Sequence, residues 1–140
     1  MPNFGWASVE WALLFFGVLG AFAAYSTGDT VSEMVMPPQR LLEAHQSFAF
    51  ASVAIYSLIL LGEALSIIRN KYENKINSIQ IKNTLLRIEN ILRHKIFSKV
   101  LALIGLVSIT LTGMLGGVMV YGTTADPMAS IVLKLLNIQI

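Results

Sequence analysis

The sequence predicts an all-α integral membrane protein with three transmembrane helices plus a cytoplasmic amphipathic helix. Three observations predict it. Apolar stretches at about 6–25, 47–68 and 96–121 each approach or exceed the ~20 helical residues needed to cross a hydrocarbon core. Only 13% of the 140 residues are charged and 55% are hydrophobic, whereas a soluble domain carries roughly 25% charged residues. Eight of the ten Lys and Arg residues lie between positions 69 and 99. That clustering marks a cytoplasmic loop under the positive-inside bias.

The first span, 6–25, contains no Lys or Arg, and the ten residues that open the chain contain only one charge, Glu10. The run lacks the basic flank of a signal peptide and is long enough to span, so it is expected as a mature span. A helix is the expected form of each span, because backbone polar groups within lipid must be paired inside the segment. With the 69–95 connection in the cytoplasm, the N-terminus is cytoplasmic, and the 26–46 connection and the C-terminus lie outside. The outer connection holds Asp29, Glu33 and Glu43 against Arg40 alone, in keeping with that orientation. Trp6, Trp11, Tyr25, Tyr72 and Tyr121 fall near the interfaces, where amphipathic rings settle. The expected location is a bacterial or archaeal inner membrane.

Thr27-Gly28-Asp29 reads as the turn that ends the first helix, and Pro37-Pro38 as the opening of the second, about two turns before lipid. In the cytoplasmic connection Ile81, Leu85, Ile88, Leu92 and Ile96 form a helical stripe. Lys82, Arg87, Glu89, Asn90 and Arg93 are assigned to the opposite face. This amphipathic helix is expected to merge into the third span and to lie on the membrane surface, on the protein's own spans or against a partner. The outer tail, 128–140, is apolar but too short to span. It is expected in the outer interface or packed on a neighbour. The whole chain is one membrane domain.

The second span carries the most informative pattern. His45, Ala49, Ser52 and Tyr56 follow one another at helical spacing on an otherwise Leu-, Ile-, Val- and Phe-rich helix. Small residues let another helix, or a flat cofactor, approach the backbone. An imidazole there is a candidate haem-iron ligand, and Arg40 a candidate partner for a haem propionate. The same residues also suit an interfacial histidine bonded to the outer loop, above an ordinary helix seam. A bis-histidine haem from His45 and His94 is excluded by topology, because about 20 helical residues separate them by roughly 30 Å. Met114 and Met119 lie in the same half of the membrane as His45 and allow His/Met ligation. His94, between Arg93 and Lys95, belongs to the basic face.

Gly113 and Gly117 form a Gly-x-x-x-Gly pair in the third span, and Gly17 and Gly20, with Ala21 and Ala24, offer a matching small surface in the first. These are expected helix-packing positions. Glu10 and Glu63 fall in or just inside spans at about the depth of Lys99. Ionisable groups at such positions usually pair, so Glu10, Glu63 and Lys99 are expected as an intramembrane ion cluster. There are no Cys residues, which excludes disulfides, thiolate metal sites and covalent c-type haem. No catalytic residues are assigned: no Walker loop, His-Glu-x-x-His or dinucleotide fingerprint is present. The net charge of +2 gives no footing for nucleic acid.

Thr112-Gly113-Met114-Leu115-Gly116-Gly117-Val118-Met119-Val120-Tyr121-Gly122 resembles the Thr-Gly-His-Leu-Gly-Gly-x-Leu-Val-Tyr-x-x-Gly signature of a family of small multi-span membrane proteins of unknown function. Members of that family occur beside or fused to Rieske and cytochrome domains. Tyr25-Ser26-Thr27-Gly28-Asp29 and Glu43-Ala44-His45-Gln46 are similar to its layout. Its members commonly have four spans and a His-Pro pair in the first; this chain has three and no such pair. Met114 stands where the signature has His. The resemblance implies a small subunit of a respiratory or photosynthetic electron-transfer complex, with a b-type haem or a quinone near His45. His45 and Met114 would then be the surviving ligand pair. The alternatives are a structural or assembly subunit with no cofactor, and a small transporter. The partners expected are the bilayer and larger membrane subunits, or further copies of the chain.

Overall fold

The computed structural model describes residues 5–72 and 79–139. Lys75 lies outside the described residues, as do the side chains of Trp6, Asp29, Tyr72 and Ile81. Among the described residues every regular element is helical. They are α1 (Trp6–Val35), α2 (Gln39–Tyr72), α3 (Ile79–Leu92), α4 (Lys95–Tyr121) and α5 (Ala129–Leu135). Three helices are long and apolar enough to cross a membrane, over Ser8–Gly28, Gln39–Lys71 and Lys95–Tyr121. They expose large apolar side chains, among them Leu13, Phe16, Leu58, Leu103 and Val107, the surface that lipid chains cover.

The turn expected at Thr27-Gly28-Asp29 does not form, and α1 continues to Val35. Its polar residues satisfy themselves within the helix. Ser26 Oγ donates to the Phe22 carbonyl at 2.8 Å and Thr27 Oγ1 to the Ala23 carbonyl at 3.1 Å, the back-bonding that lets hydroxyl residues remain in a helix. Met36 ends α1 in a left-handed conformation, φ 47°, with its N–H on the Ser32 carbonyl at 2.9 Å. Pro37-Pro38 follows, and α2 begins at Gln39.

Contacts divide the chain into two units, residues 1–20 with 54–104, and residues 21–53 with 105–140. In the first unit, α3 does not merge into α4. Arg93 and His94 separate them, and the Ser98 N–H returns to the His94 carbonyl at 2.9 Å to begin the new helix. The side of α3 turned to α2 is mixed, with Leu92 against Gly62 and charged residues beside it. Glu89 is buried and receives Arg69 Nε at 2.6 Å, while Arg93 reaches Glu63 at 3.3 Å and bonds Ser66. Ile88, Ile91 and Ile96 remain exposed. Glu89 thus leaves the polar face assigned to it, and Arg93, still exposed, reaches back to α2, because α2 supplies their partners.

Gly62 admits this approach. A Cβ there would stand 2.9 Å from Leu92 Cβ. Gly62→Leu is expected to push α3 from α2 and lower stability by about 2 kcal/mol, within the usual range for overpacking. The gain in helix propensity, up to ~1 kcal/mol, opposes this. Thermal unfolding in detergent checks the sign, and an unchanged midpoint would contradict this packing.

In the second unit the core is Leu41, Leu115, Val118, Ala129, Leu133 and Ile138. The apolar tail therefore packs on α2 and α4 of its own chain. Gly122, φ 76°, closes α4, and Asp126 Oδ1 accepts the Met128 N–H at 2.7 Å at the entry to α5. Asn137, φ 55°, ends α5. Its N–H meets the Lys134 carbonyl, and the Ile138 N–H meets that of Leu133. This is the Schellman pattern, complete with its apolar contact between Leu133 and Ile138.

Candidate functional site

The second unit contains a cavity of about 420 Å³, within the usual size range for a small-molecule site. Segments of α1, α2 and α4 line it. The α2 wall is the small stripe of the sequence, with His45, Ala49 and Ser52 in succession. From α1 come Ala21, Ala24 and Gly28, again small residues at helical spacing. From α4 come Thr112, Gly116 and Met119. Ser52 is buried, and its hydroxyl is satisfied by the Phe48 carbonyl at 2.8 Å. The Thr112 hydroxyl is satisfied by the Ser108 carbonyl at 2.8 Å.

His45 is fixed by one long-range hydrogen bond. Its Nδ1 lies 3.0 Å from the Thr112 carbonyl oxygen. A carbonyl only accepts, so Nδ1 carries the proton and donates it. In a neutral ring the lone pair is then on Nε2. The bond is available because of Gly116. Inside a helix the residue four positions on stands beside a given carbonyl, and here that residue has no side chain. A Cβ at Gly116 would lie 3.2 Å from His45 Cε1 and 3.6 Å from Nδ1, inside the space the ring needs. The sequence thus places a glycine where a histidine from another helix reaches a backbone oxygen.

Of the residues expected to bind a cofactor, His45, Ala49, Ser52 and Met119 meet at this cavity. Arg40 and Met114 are not among its lining residues, and Arg40 is exposed. Gly116, Thr112 and the α1 stripe join the site without having been assigned to a cofactor from the sequence. Gly28 was hidden by its resemblance to a turn. The spacing of Ala21, Ala24 and Gly28, and of Thr112 and Gly116, was the available signal.

The expected packing glycines stand elsewhere. A Cβ added at Gly17, Gly20 or Gly113 would meet nothing within 4 Å, and one at Gly117 would meet only Ala125, at an ordinary 3.7 Å. Glu63 pairs with Arg93. Glu10 and Lys99 are exposed and join no ion pair among the described residues. His94 is exposed at the α3–α4 break. Among the described residues no group of three His, Asp or Glu side chains is placed to hold a metal ion.

Outside the spans, one carboxyl departs from its ordinary behaviour. The Arg69 hydrogen bond holds Glu89 below the usual carboxylate value, with Arg69 and Arg93 charges and a Ser66 hydrogen bond adding to it, against the opposing effect of burial.

Compared with known proteins, the chain matches no family model, no curated protein and no solved structure.

Proposed function

We propose that this chain is a small membrane subunit of an electron-transfer complex, and that the His45 cavity takes the ring of a neutral, lipid-soluble quinone. The observation that carries this reading is the seat of His45. The Thr112 carbonyl and Gly116 fix a ring whose remaining nitrogen is free to accept, beside a cavity lined by small side chains. A hydroquinone hydroxyl is a donor suited to Nε2, and Tyr25 adds a hydroxyl among the lining residues. The likeness of 112–122 to a family found beside Rieske and cytochrome domains supports the same assignment.

A haem suits the site less well. A carbonyl-bonded histidine is the usual arrangement of an iron ligand, and Met119 is at hand. Yet among the described residues no Lys or Arg lines the cavity, so two propionates would find no cationic partner among them. A quinone has no charge to compensate. The basic 69–95 connection supports a cytoplasmic N-terminus and an outer C-terminus in a bacterial or archaeal inner membrane.

Equilibrium dialysis of a short-chain benzoquinone or naphthoquinone against the detergent-purified chain tests the proposal. Saturable binding is expected. His45→Ala should weaken the reduced form about tenfold, the equivalent of roughly one ~1.4 kcal/mol hydrogen bond, and the oxidised form less. Absence of saturable binding, or a b-type haem band in the reduced-minus-oxidised spectrum, would overturn the quinone assignment.

A further inference from the structure

The first unit carries an open groove along α3 and the start of α4, remote in sequence from the His45 cavity. Asn83, Arg87 and Asn90 line it along α3 and His94 at the break after it, with Leu86, Ile91 and Phe97 beside them. Each of these four polar residues bears nitrogen atoms able to donate. Glu89 is the only acidic residue between positions 79 and 99. It is buried and held by Arg69 and Arg93, and it does not line the groove. Arg87, His94, Lys95 and Lys99 make no ion pair among the described residues. The groove thus carries one fixed cation, Arg87, and no carboxylate lines it among the described residues.

Its position names the occupant. The third apolar helix begins at Lys95, one residue beyond His94, so the donor row ends where a span begins. Ile91 and Phe97 are 55% and 42% exposed beside it, apolar surface at the level where a lipid's glycerol and first methylenes lie. We infer that this groove binds the phosphodiester headgroup of an anionic phospholipid. Arg87 and the Asn83, Asn90 and His94 side chains contact the phosphate, and Leu86, Ile91 and Phe97 beside them contact the apolar part of the lipid. Arg69 and Arg93 remove the acid that would repel it. A docked protein is less well matched, since a donor row flanked by exposed apolar side chains at the start of a span suits a molecule polar at one end and apolar at the other. The site stands independently of the quinone assignment.

Binding of short-chain phosphatidylglycerol and phosphatidylcholine to the detergent-purified full chain, counted by native mass spectrometry, tests this. Phosphatidylglycerol is expected to bind at least fivefold more tightly, the factor that one juxtamembrane basic residue supplies. Arg87→Gln should remove the preference, and Asn90→Leu should reduce it about threefold without changing charge. Lys134→Gln, an exposed cation on α5, should leave it unchanged. Excess inorganic phosphate should not displace the lipid. Equal binding of the two lipids, an equal loss in Lys134→Gln, or displacement by phosphate alone would overturn the inference. So would a co-purifying protein that excludes lipid from this face and is lost in Arg87→Gln.

Discussion

Glu89→Ala is expected to destabilise the first unit by about 3 kcal/mol, the lower end of the range for breaking a buried ion pair. The side chain of Glu89 is only 7% exposed and that of Arg69 25%. Arg69 gives it two hydrogen bonds, at 2.6 and 3.2 Å. Removing the carboxylate takes two hydrogen bonds from a partly desolvated guanidinium, which is where most of the loss arises. Replacing both partners, with Arg69→Met and Glu89→Leu together, should recover much of it, because the remaining charge, Arg93, is more exposed and keeps Glu63. The pH dependence has a definite sign. The folded state holds the Glu89 carboxyl below its usual value of 4.5. Its contribution is therefore complete above that value and is lost as pH falls through the lower folded one. Unfolding in detergent at pH 7 should separate Glu89→Ala from the parent, and the difference should shrink below about pH 4. A constant difference across that window would show that packing, not charge, holds α3 to α2.

Gly116→Leu is expected to abolish quinone binding, with a loss of at least thirtyfold, while leaving the chain folded. A Cβ at this position already stands close to His45 Cε1, at 3.2 Å, and in contact with Nδ1, at 3.6 Å. The larger side chain would drive the ring from the Thr112 carbonyl and occupy part of the cavity. In the helix itself the exchange gains up to ~1 kcal/mol over glycine, so failure to fold is not the expected cause. Gly113→Leu is the matched control. It lies one turn away in the same helix and meets nothing within 4 Å. Dialysis with both variants checks the pair of outcomes. Equal losses in the two would assign the effect to α4 at large rather than to the seat of His45.

The spans were legible because twenty or so apolar residues in a row have one solution in lipid. Their ends were less so. Ser26 and Thr27 look like a helix stop, yet their hydroxyls bond the preceding turn. Arg93 and His94 contain neither Gly nor Pro, yet the chain breaks there, where Arg93 is held by Glu63 and Ser66 of α2. Local periodicity placed Glu89 with the polar face, and its burial depends on the distant Arg69, with Arg93 and Ser66 adding to it. The site was half visible. His45 and the small positions after it stood out by their spacing, and so did Met119. Gly116 did not, because its role depends on which residue of another helix reaches the Thr112 carbonyl. That pairing is separated by 67 positions in the chain, and no pattern within one helix reports it.

Photoaffinity labelling of the detergent-purified chain with an azidoquinone, followed by peptide mapping, tests the His45 assignment most directly. The label is expected in the peptides covering 21–53 and 105–120, with competition by unlabelled quinone and marked loss in His45→Ala. Labelling spread over 54–104, or unaffected by competitor, would contradict it.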